Sequence, residues 1–301
     1  MSLASYPMQP FTGLLSAYQG SINGLVFGPG TDVRLISLEG FRALPQVRSG
    51  DVSKPRADGS FAGLNFLDER TITATFGVFA PDRPFETVLS EVTAALQNVS
   101  DPSDLFPFAF MAPGWLEPRQ AWVRPMAASI VIDKSYQFQD LEAIAVQLSA
   151  PDPLIYSASQ HTAGPLTVAE MTVGGLTFPT TFPITLDPPG GQLFGANLGT
   201  VASHPVITVT GGMDHPIIYR VDSGQRLDFG ISLATTDVLV IDVLNRAAIL
   251  NGTTSVLNTL ATGSQWFDLP PGGWAVGCTP GNLTTPSGSF QVQWFDAWGI
   301  A

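Results

Sequence analysis

The feature that most limits the fold is the chemistry of residues 185–301, which contain no glutamate and no lysine. Glutamate and lysine supply the exposed faces of most helices, so their absence argues against a helical second half. Short segments rich in β-branched residues recur instead, and each is closed by Gly, Asn, Pro or Asp. The pattern predicts a β-sandwich over residues 185–301. The predicted strands lie at 205–211, 217–222, 225–233, 237–243, 246–252, 264–269, 273–278 and 289–298.

The first half of the chain combines strands with one helix. In PFETVLSEVTAALQN, residues 84–98, apolar residues recur at helical spacing and predict one buried face, and Pro84 suits the helix start. The apolar residues of this face are Phe85, Val88, Leu89, Val92 and Leu96. Strands are predicted at 33–38, 70–80, 106–114, 122–133 and 141–150. Residues 1–150 therefore indicate an α+β or barrel-like unit.

The motif Pro151-Asp152-Pro153 lies between the two halves. It allows two interpretations, a reactive carboxylate at Asp152 or a joint between two folded units. Asp152 has no histidine, lysine or second carboxylate beside it in the sequence, and each proline favours an extended residue before it. We therefore predict a joint where the last strand ends and Tyr156 anchors the exit. The predicted domains are 1–155, a linker or arm at 156–184 rich in Ser, Gly and Pro, and the sandwich at 185–301.

The charge balance excludes several classes of partner. The formal net charge is −12, and Lys54 and Lys134 are the only lysines. This composition argues against binding to nucleic acid or to anionic lipid. The single cysteine, Cys278, rules out an intrachain disulfide and a cysteine-based metal site. We see no signal peptide and no membrane-spanning stretch, and we expect a soluble protein that folds in the cytoplasm and does not insert into membranes.

Motifs for catalysis or cofactor binding are absent from the sequence. His161, His204 and His215 do not pair with another His or Glu at helical spacing, so zinc-protease patterns are missing. Neither lysine follows a glycine as in a phosphate-binding loop, and no Gly-x-Ser-x-Gly occurs. We therefore predict no enzyme activity, no cofactor and no metal. A cell-wall hydrolase stays open as an alternative, because only the fold would bring its carboxylates together.

The aromatic residues of VQWFDAW, residues 292–298, allow two interpretations. On one extended strand, Val292, Trp294, Asp296 and Trp298 would share a face. Trp294 and Trp298 could then form a platform on which sugar rings stack. Alternatively, both indoles fill the core, which we favour because indoles bury large apolar areas in sandwiches.

Several segments in a fixed order resemble the distal tail proteins of long, flexible-tailed bacteriophages. These are RADGSFAGLNFLDERTITATFGVFA (56–80) with its Asp58-Gly59 turn, the helix at 84–98, VRPMAASIVID, and APDPLIY (150–156) at the end of the first domain. Further segments resemble the appended sandwich of actinobacteriophage minor tail proteins. These are GTVASHPVITVTG (199–211), SGQRLDFGISLATTDVLVIDV (223–243), RAAILNG, FDLPPGG (267–273) and the closing VQWFDAW.

The resemblance implies a mostly β protein with an N-terminal split β-barrel containing one helix. It also implies a C-terminal sandwich like galectins or carbohydrate-binding modules. Six copies would form a homohexameric ring at the virion tail tip, assembled in the host cytoplasm, with DNA only as passing cargo. The ring would join the tail tube protein to the tail-tip hub and carry other minor tail proteins and receptor-binding components. The alternative is a host-surface glycan-binding module in the sandwich.

Residues 48–67 are polar at their start and apolar at their end, as in an arm that docks on a neighbouring copy. A ring needs a heterologous interface that closes, and unpaired strand edges of a half-open barrel are suited to pair with a neighbour. The acidic balance also fits a DNA conduit, since an acidic lumen would repel DNA. The predicted contact residues of the arm are Arg48, Arg56, Asp58, Gly59, Phe61, Leu64 and Phe66.

Overall fold

The computed structural model describes residues 10–97, 105–132, 134–168, 191–281 and 287–300. The chain divides into two compact units. The first unit comprises Met1–Ser159 together with Ala297–Ala301, and the second comprises Gln160–Asp296. No helix among the described residues has the length and apolar character needed to cross a bilayer.

The strands and helices are numbered in chain order. Up to residue 157 they are β1 Gly20–Ile22, β2 Leu25–Phe27, β3 Val33–Glu39, β4 Val47–Ser49, β5 Val52–Ser53, β6 Ser60–Phe61, β7 Asn65–Leu67, β8 Arg70–Phe79, α1 Phe85–Ala95, β9 Phe106–Phe110, β10 Arg119–Ile130, α2 Lys134–Gln137, β11 Asp140–Ala150 and β12 Ile155–Ser157. They continue with β13 His161–Thr167, β14 Gly191–Asn197, β15 Val206–Thr210, β16 Met213–Asp214, β17 Pro216–Arg220, β18 Arg226–Asp228, β19 Ser232–Leu233, β20 Val238–Asp242, β21 Ala247–Leu250, β22 Thr254–Ser255, a 3-10 turn Leu257–Thr259, β23 Gly272–Pro280, β24 Ser289–Trp294 and β25 Ala297–Trp298.

In the first unit, the strands form a sheet with the order β2-β1-β9-β10-β11-β8-β3, and the long strand β10 links its two halves. The start of β10 pairs with β9, its later part pairs with β11, and the register shifts between Pro125 and Ala127. A β-bulge of this kind bends a strand and lets it serve two sheet halves. The apolar side chains of the two halves and of α1 share one core.

The predicted helix is confirmed as α1, with Pro84 preceding its first residue. Phe85, Val88, Leu89 and Val92 are buried along one face of α1, and Leu96 is buried directly after it. The helix ends at Ala95, short of the predicted residue 98, which lies outside the described residues. The apolar stripe therefore anchors α1 to the core, as its periodicity predicts.

A charge on this stripe should unfold the first unit. Leu89→Asp is expected to lower the free energy of unfolding by about 3–5 kcal/mol, because it buries a carboxylate without a partner. The exposed neighbour Thr87 provides the control, since Thr87→Asp should change that free energy by less than about 0.5 kcal/mol. Chemical denaturation followed by circular dichroism measures both. A Leu89→Asp protein as stable as the parent would show that the face assignment is wrong.

In the second unit, two sheets enclose a single core. One has the order β13-β24-β15-β20-β21-β22 and the other β14-β23-β17-β18. The side chains that fill the core alternate along each strand with residues that face outward, as in a sandwich. The mostly β fold with one long helix is thus confirmed, whereas the split-barrel and galectin-like descriptions stay predictions.

Three sequence expectations differ from the structure. The predicted linker at 156–184 contains β13, which pairs with β24, and its part from residue 169 onward lies outside the described residues. The predicted strand at 264–269 is irregular. The predicted strand at 289–298 is two strands, of which β25 pairs with β12 in the first unit. The last two expectations fail because period-2 patterns carry no information on where a strand breaks.

Candidate functional site: an open sheet and a hairpin arm

Strands β10, β11, β8 and β3 form a sheet segment, called here the open sheet, with two different faces. Ile72, Ala74 and Phe76 of β8 point into the core, as do alternate residues of β11. The residues between them face outward and are small and mostly uncharged, because successive side chains of a strand alternate between faces. The uncharged outward residues include Ser37, Thr71, Thr73, Thr75, Gly77, Ala127, Ser129, Ala143, Ala145 and Gln147, and Arg34 and Glu39 of β3 face the same way.

Charged side chains on this face lie at both ends of the open sheet, with Arg34 and Asp140 at one end and Glu39, opposite Thr73, at the other. The Arg34 guanidinium lies 3.3 Å from an Asp140 carboxylate oxygen and 4.6 Å from the centre of the Phe79 ring. Both partners of this ion pair are about half exposed, so it adds little to stability. The rest of the outward surface offers hydroxyl, methyl and amide groups rather than a strong electrostatic field.

The two borders of the open sheet are unpaired. Within the described residues, no strand pairs with the free side of β3 or with the free side of the later part of β10. Residues 126–130 of β10 are all exposed. Unpaired backbone N–H and C=O groups on a strand edge are a template for a strand of another chain. The two open edges therefore lie at opposite borders of the same sheet, as a head-to-tail contact requires.

A β-hairpin, called here the arm, comprises residues 47–67 between β3 and β8. Its strands pair as β4 with β7 and β5 with β6, and every residue of it is exposed. The exposed fractions are 61% for Phe61, 77% for Leu64 and 55% for Phe66. An isolated two-stranded hairpin is marginally stable in water, and large exposed apolar groups mark interaction surfaces. The arm therefore exposes three large apolar side chains, as its predicted contact role requires.

Cations of the arm lie over its aromatic rings. The Arg48 guanidinium carbon is 5.9 Å from the centre of the Phe66 ring, and the Lys54 Nζ atom is 5.8 Å from that of Phe61. The Asp58-Gly59 pair forms the turn, with Gly59 at φ +88° where a side chain would be strained. The seven predicted contact residues all lie in this arm and are exposed, while their contact role stays a prediction.

The joint at Pro151–Tyr156 is built around Asp152. One oxygen of Asp152 accepts a hydrogen bond from the Leu154 N–H at 3.0 Å, and the other accepts one from the Tyr156 hydroxyl at 2.5 Å. Both bonds fix the turn that leads from β11 to β12, so Asp152 orders the backbone. Pro151 and Pro153 flank it as the sequence indicates.

Arg70 is a buried residue whose role the sequence does not reveal. Its guanidinium, 1% exposed, lies within hydrogen-bond distance of five backbone carbonyl oxygens in three separate segments, and three of these oxygens share the two N–H groups of Nη1. Burial lowers the pKa of Arg70 to about 10, partly offset by the nearby charge of Asp152. The acceptors are Gly40, Phe41 and Ala43 at 2.6–3.2 Å, Pro153 of the joint at 2.8 Å and Gly299 of the C-terminal segment at 2.7 Å.

The two tryptophans of the suggested sugar platform lie in different units and are both buried. Trp294 packs edge-on against Trp274 with ring centres 4.7 Å apart, and its indole N–H donates to the Ala196 carbonyl. Trp298 lies in the first core with the Arg119 guanidinium 3.8 Å from its ring centre. The expected common strand face is therefore wrong, because the chain turns between β24 and β25. Neither indole offers the open face that sugar stacking requires.

Each histidine lies beside a carboxylate in the second unit. The nearest N–O distances are 3.4 Å for His161 and Asp296, 2.8 Å for His204 and Asp268, and 2.7 Å for His215 and Asp228. Burial raises the pKa of Cys278 to about 12, so this thiol is unreactive at neutral pH.

Comparisons with known proteins find similarity to phage tail components. Residues 198–298 match the family of siphovirus-type tail components, C-terminal domain. The fold is similar to the Dit protein of phage SPP1, described as a paradigm of the hub adsorption apparatus in phages that infect Gram-positive bacteria. That match has a TM-score of 0.62 at 12% identity and covers 94% of this chain and 99% of that one.

A second similar structure is a chain of the phage p2 baseplate in its activated conformation. It has a TM-score of 0.50 at 10% identity and covers 92% of this chain and 98% of that one. No curated protein is similar enough in sequence to count as a relative. The resemblance to phage distal tail proteins that the sequence indicates is thereby confirmed.

Proposed function

We propose that this chain is a structural component at the distal end of a long, non-contractile phage tail. In this role six copies form a closed ring that joins the tail tube to the tail-tip hub and carries receptor-binding components. Support comes from the tail-component match at 198–298 and from the fold shared with a hub protein. The role is assembly rather than catalysis.

The observation that carries the ring is the pair of unpaired edges on one sheet. Pairing β3 of one copy with the later part of β10 of the next continues the sheet from copy to copy. Such a contact is heterologous, and it closes into a ring when each copy is rotated by a constant angle. Full closure also removes the open edges of β3 and β10, and closure is how barrels avoid uncontrolled strand addition.

The outward face of the open sheet suits the wall of a DNA conduit. In a closed ring this face would line the lumen, and its Thr, Ser, Ala and Gln residues carry no charge. DNA would find no cluster of basic side chains to hold it there, and the net charge of −12 per chain repels it. A wall of this chemistry lets DNA pass without being retained. The lumen wall that we propose is therefore weakly polar over most of its area, with the carboxylate of Glu39 at one end and the Arg34–Asp140 ion pair at the other.

A lysine on the β10 border tests the ring. Ser129→Lys adds a charged side chain beside the free edge and should abolish ring formation, while the stability of the monomer changes by less than about 0.5 kcal/mol. Thr254→Lys is the matched control, because Thr254 is exposed on β22, a border strand of the second unit. Sedimentation and negative-stain imaging report the oligomer. Intact rings in Ser129→Lys, or rings lost equally in Thr254→Lys, would contradict edge pairing.

A further inference from the structure

The arm differs in charge from the rest of the chain. Residues 47–67 contain three basic side chains, Arg48, Lys54 and Arg56, against Asp51 and Asp58, whereas the whole chain carries −12. The arm is thus a basic and apolar segment attached to an acidic protein. All of its residues are exposed, and Arg48 alone of its three basic residues has a carboxylate within ion-pair distance among the described residues, that of Asp68 at 3.6 Å.

A surface of the opposite charge lies on the outer face of α1. Glu86 and Glu91 are exposed on the helix, and Asp82 is exposed just before it. Asp32 adds a fourth carboxylate. Asp32 and Glu91 both form ion pairs with Arg83. We call this group of four carboxylates the acidic helix face. Arg83 offsets part of the negative charge, and Lys134 of α2 is a second basic residue nearby.

An exposed apolar group adjoins the acidic helix face. Tyr136 of α2 donates its hydroxyl to Glu86 at 2.7 Å and packs edge-on against Phe85 with ring centres 5.5 Å apart. Phe138 follows α2 and is 76% exposed. The surface therefore combines carboxylates with an open aromatic ring. It is the complement of the arm, which combines cations with Phe61 and Leu64.

We propose that the arm of one copy docks on the acidic helix face and Phe138 of a neighbouring copy. Both surfaces are exposed in the same chain, so the contact is made between copies and not within one. A hairpin of about ten residues per strand extends roughly 30 Å, enough to reach the body of a neighbour. Charge complementarity selects a second copy of this acidic chain as the occupant. The inference rests on the proposed ring and names a contact additional to the sheet edges.

Cross-linking between two differently tagged copies tests this contact directly. One copy carries Arg56→Cys at the arm, and the other carries Ser90→Cys on the exposed side of α1. Mild oxidation should give a mixed disulfide at least about tenfold more abundant than that between Arg56→Cys and the control Thr253→Cys, because only the first pair would be held together. Cys278 is buried and contributes no background. Absence of selective cross-linking overturns the docking proposal, whereas rings that still form would leave the proposed function standing.

A charge exchange provides the second test. Lys54→Glu with Arg56→Glu should weaken ring assembly, and Asp82→Lys with Glu86→Lys should do the same, because each opposes like charges. All four substitutions in one chain restore complementarity and should recover assembly, measured as the protein concentration at half-maximal ring formation. Failure of the combined variant to recover, with each parent variant folded, also counts against docking on this face.

Discussion

Replacing Arg70 with methionine is expected to lower the free energy of unfolding of the first unit by about 4–6 kcal/mol. The substitution removes the N–H groups that face five backbone carbonyl oxygens, from a side chain that is 1% exposed. The carbonyl oxygens of Phe41 and Gly299, which lie in the buried part of the network, then lose their donor. Relief of the buried charge offsets part of this loss, because desolvation already opposes the charged form of Arg70.

Lysine cannot replace Arg70 in this network. An ammonium group has three donors at one point, whereas a guanidinium spreads five N–H groups over a plane and can reach several segments at once. Arg70→Lys should therefore lower the free energy of unfolding by about half as much as Arg70→Met does, or more. Arg34→Met is the control, since Arg34 is exposed and its ion pair contributes at most about 1 kcal/mol.

Thermal and urea unfolding of the full chain measure these effects, with the two units treated as separate transitions. Near-wild-type stability of Arg70→Met would show that the surrounding loops satisfy their carbonyls without Arg70. A loss confined to the second transition would equally contradict the assignment, because every acceptor of Arg70 belongs to the first unit.

What the sequence predicts well is local periodicity tied to burial. The spacing of Phe85, Val88, Leu89 and Val92 predicts α1 because one face of a helix must be apolar to pack. The strands β3, β8 and β11 follow from runs of β-branched and aromatic residues in the same way. The arm carries no periodic signal because its residues contact no core, and the change from polar to apolar residues along 48–67 indicates it instead.

What the sequence misses depends on contacts between distant residues. An arginine at the head of a strand gives no sign that carbonyls from three segments will surround it. The run VQWFDAW suggests one strand, yet Trp294 and Trp298 end in different cores because the chain changes unit between them. The open edges are equally invisible, since which strand lies at a border is a property of sheet order and not of strand sequence.

Ending the chain after Asp296 is expected to destabilise the first unit by at least about 5 kcal/mol. The truncation removes β25, which pairs with β12 at Ile155 and Tyr156, and takes the indole of Trp298 out of the first core. Since domains are stable by only about 5–15 kcal/mol, much of the first unit should unfold while the second stays folded. Limited proteolysis and thermal unfolding distinguish the two units. Ile300→Ala is the control, because Ile300 is 54% exposed and should have little effect.

The truncation and Arg70→Met should be strongly coupled, because both remove the hydrogen bond between Arg70 and the Gly299 carbonyl. When two substitutions affect one hydrogen-bond network, their combined loss of stability is smaller than the sum of the separate losses, by about 0.5–3 kcal/mol. A double-mutant cycle with milder substitutions keeps the protein folded enough to measure this coupling. It uses Trp298→Phe in place of the truncation and Arg70→Lys in place of Arg70→Met. Additive losses would mean that the C-terminal segment docks independently of Arg70. Coupling would mean that the first unit, which carries the open sheet and the arm, is completed by residues at the far end of the chain. Ring assembly by the truncated chain should then fail even though the edges of β3 and β10 are unchanged in sequence.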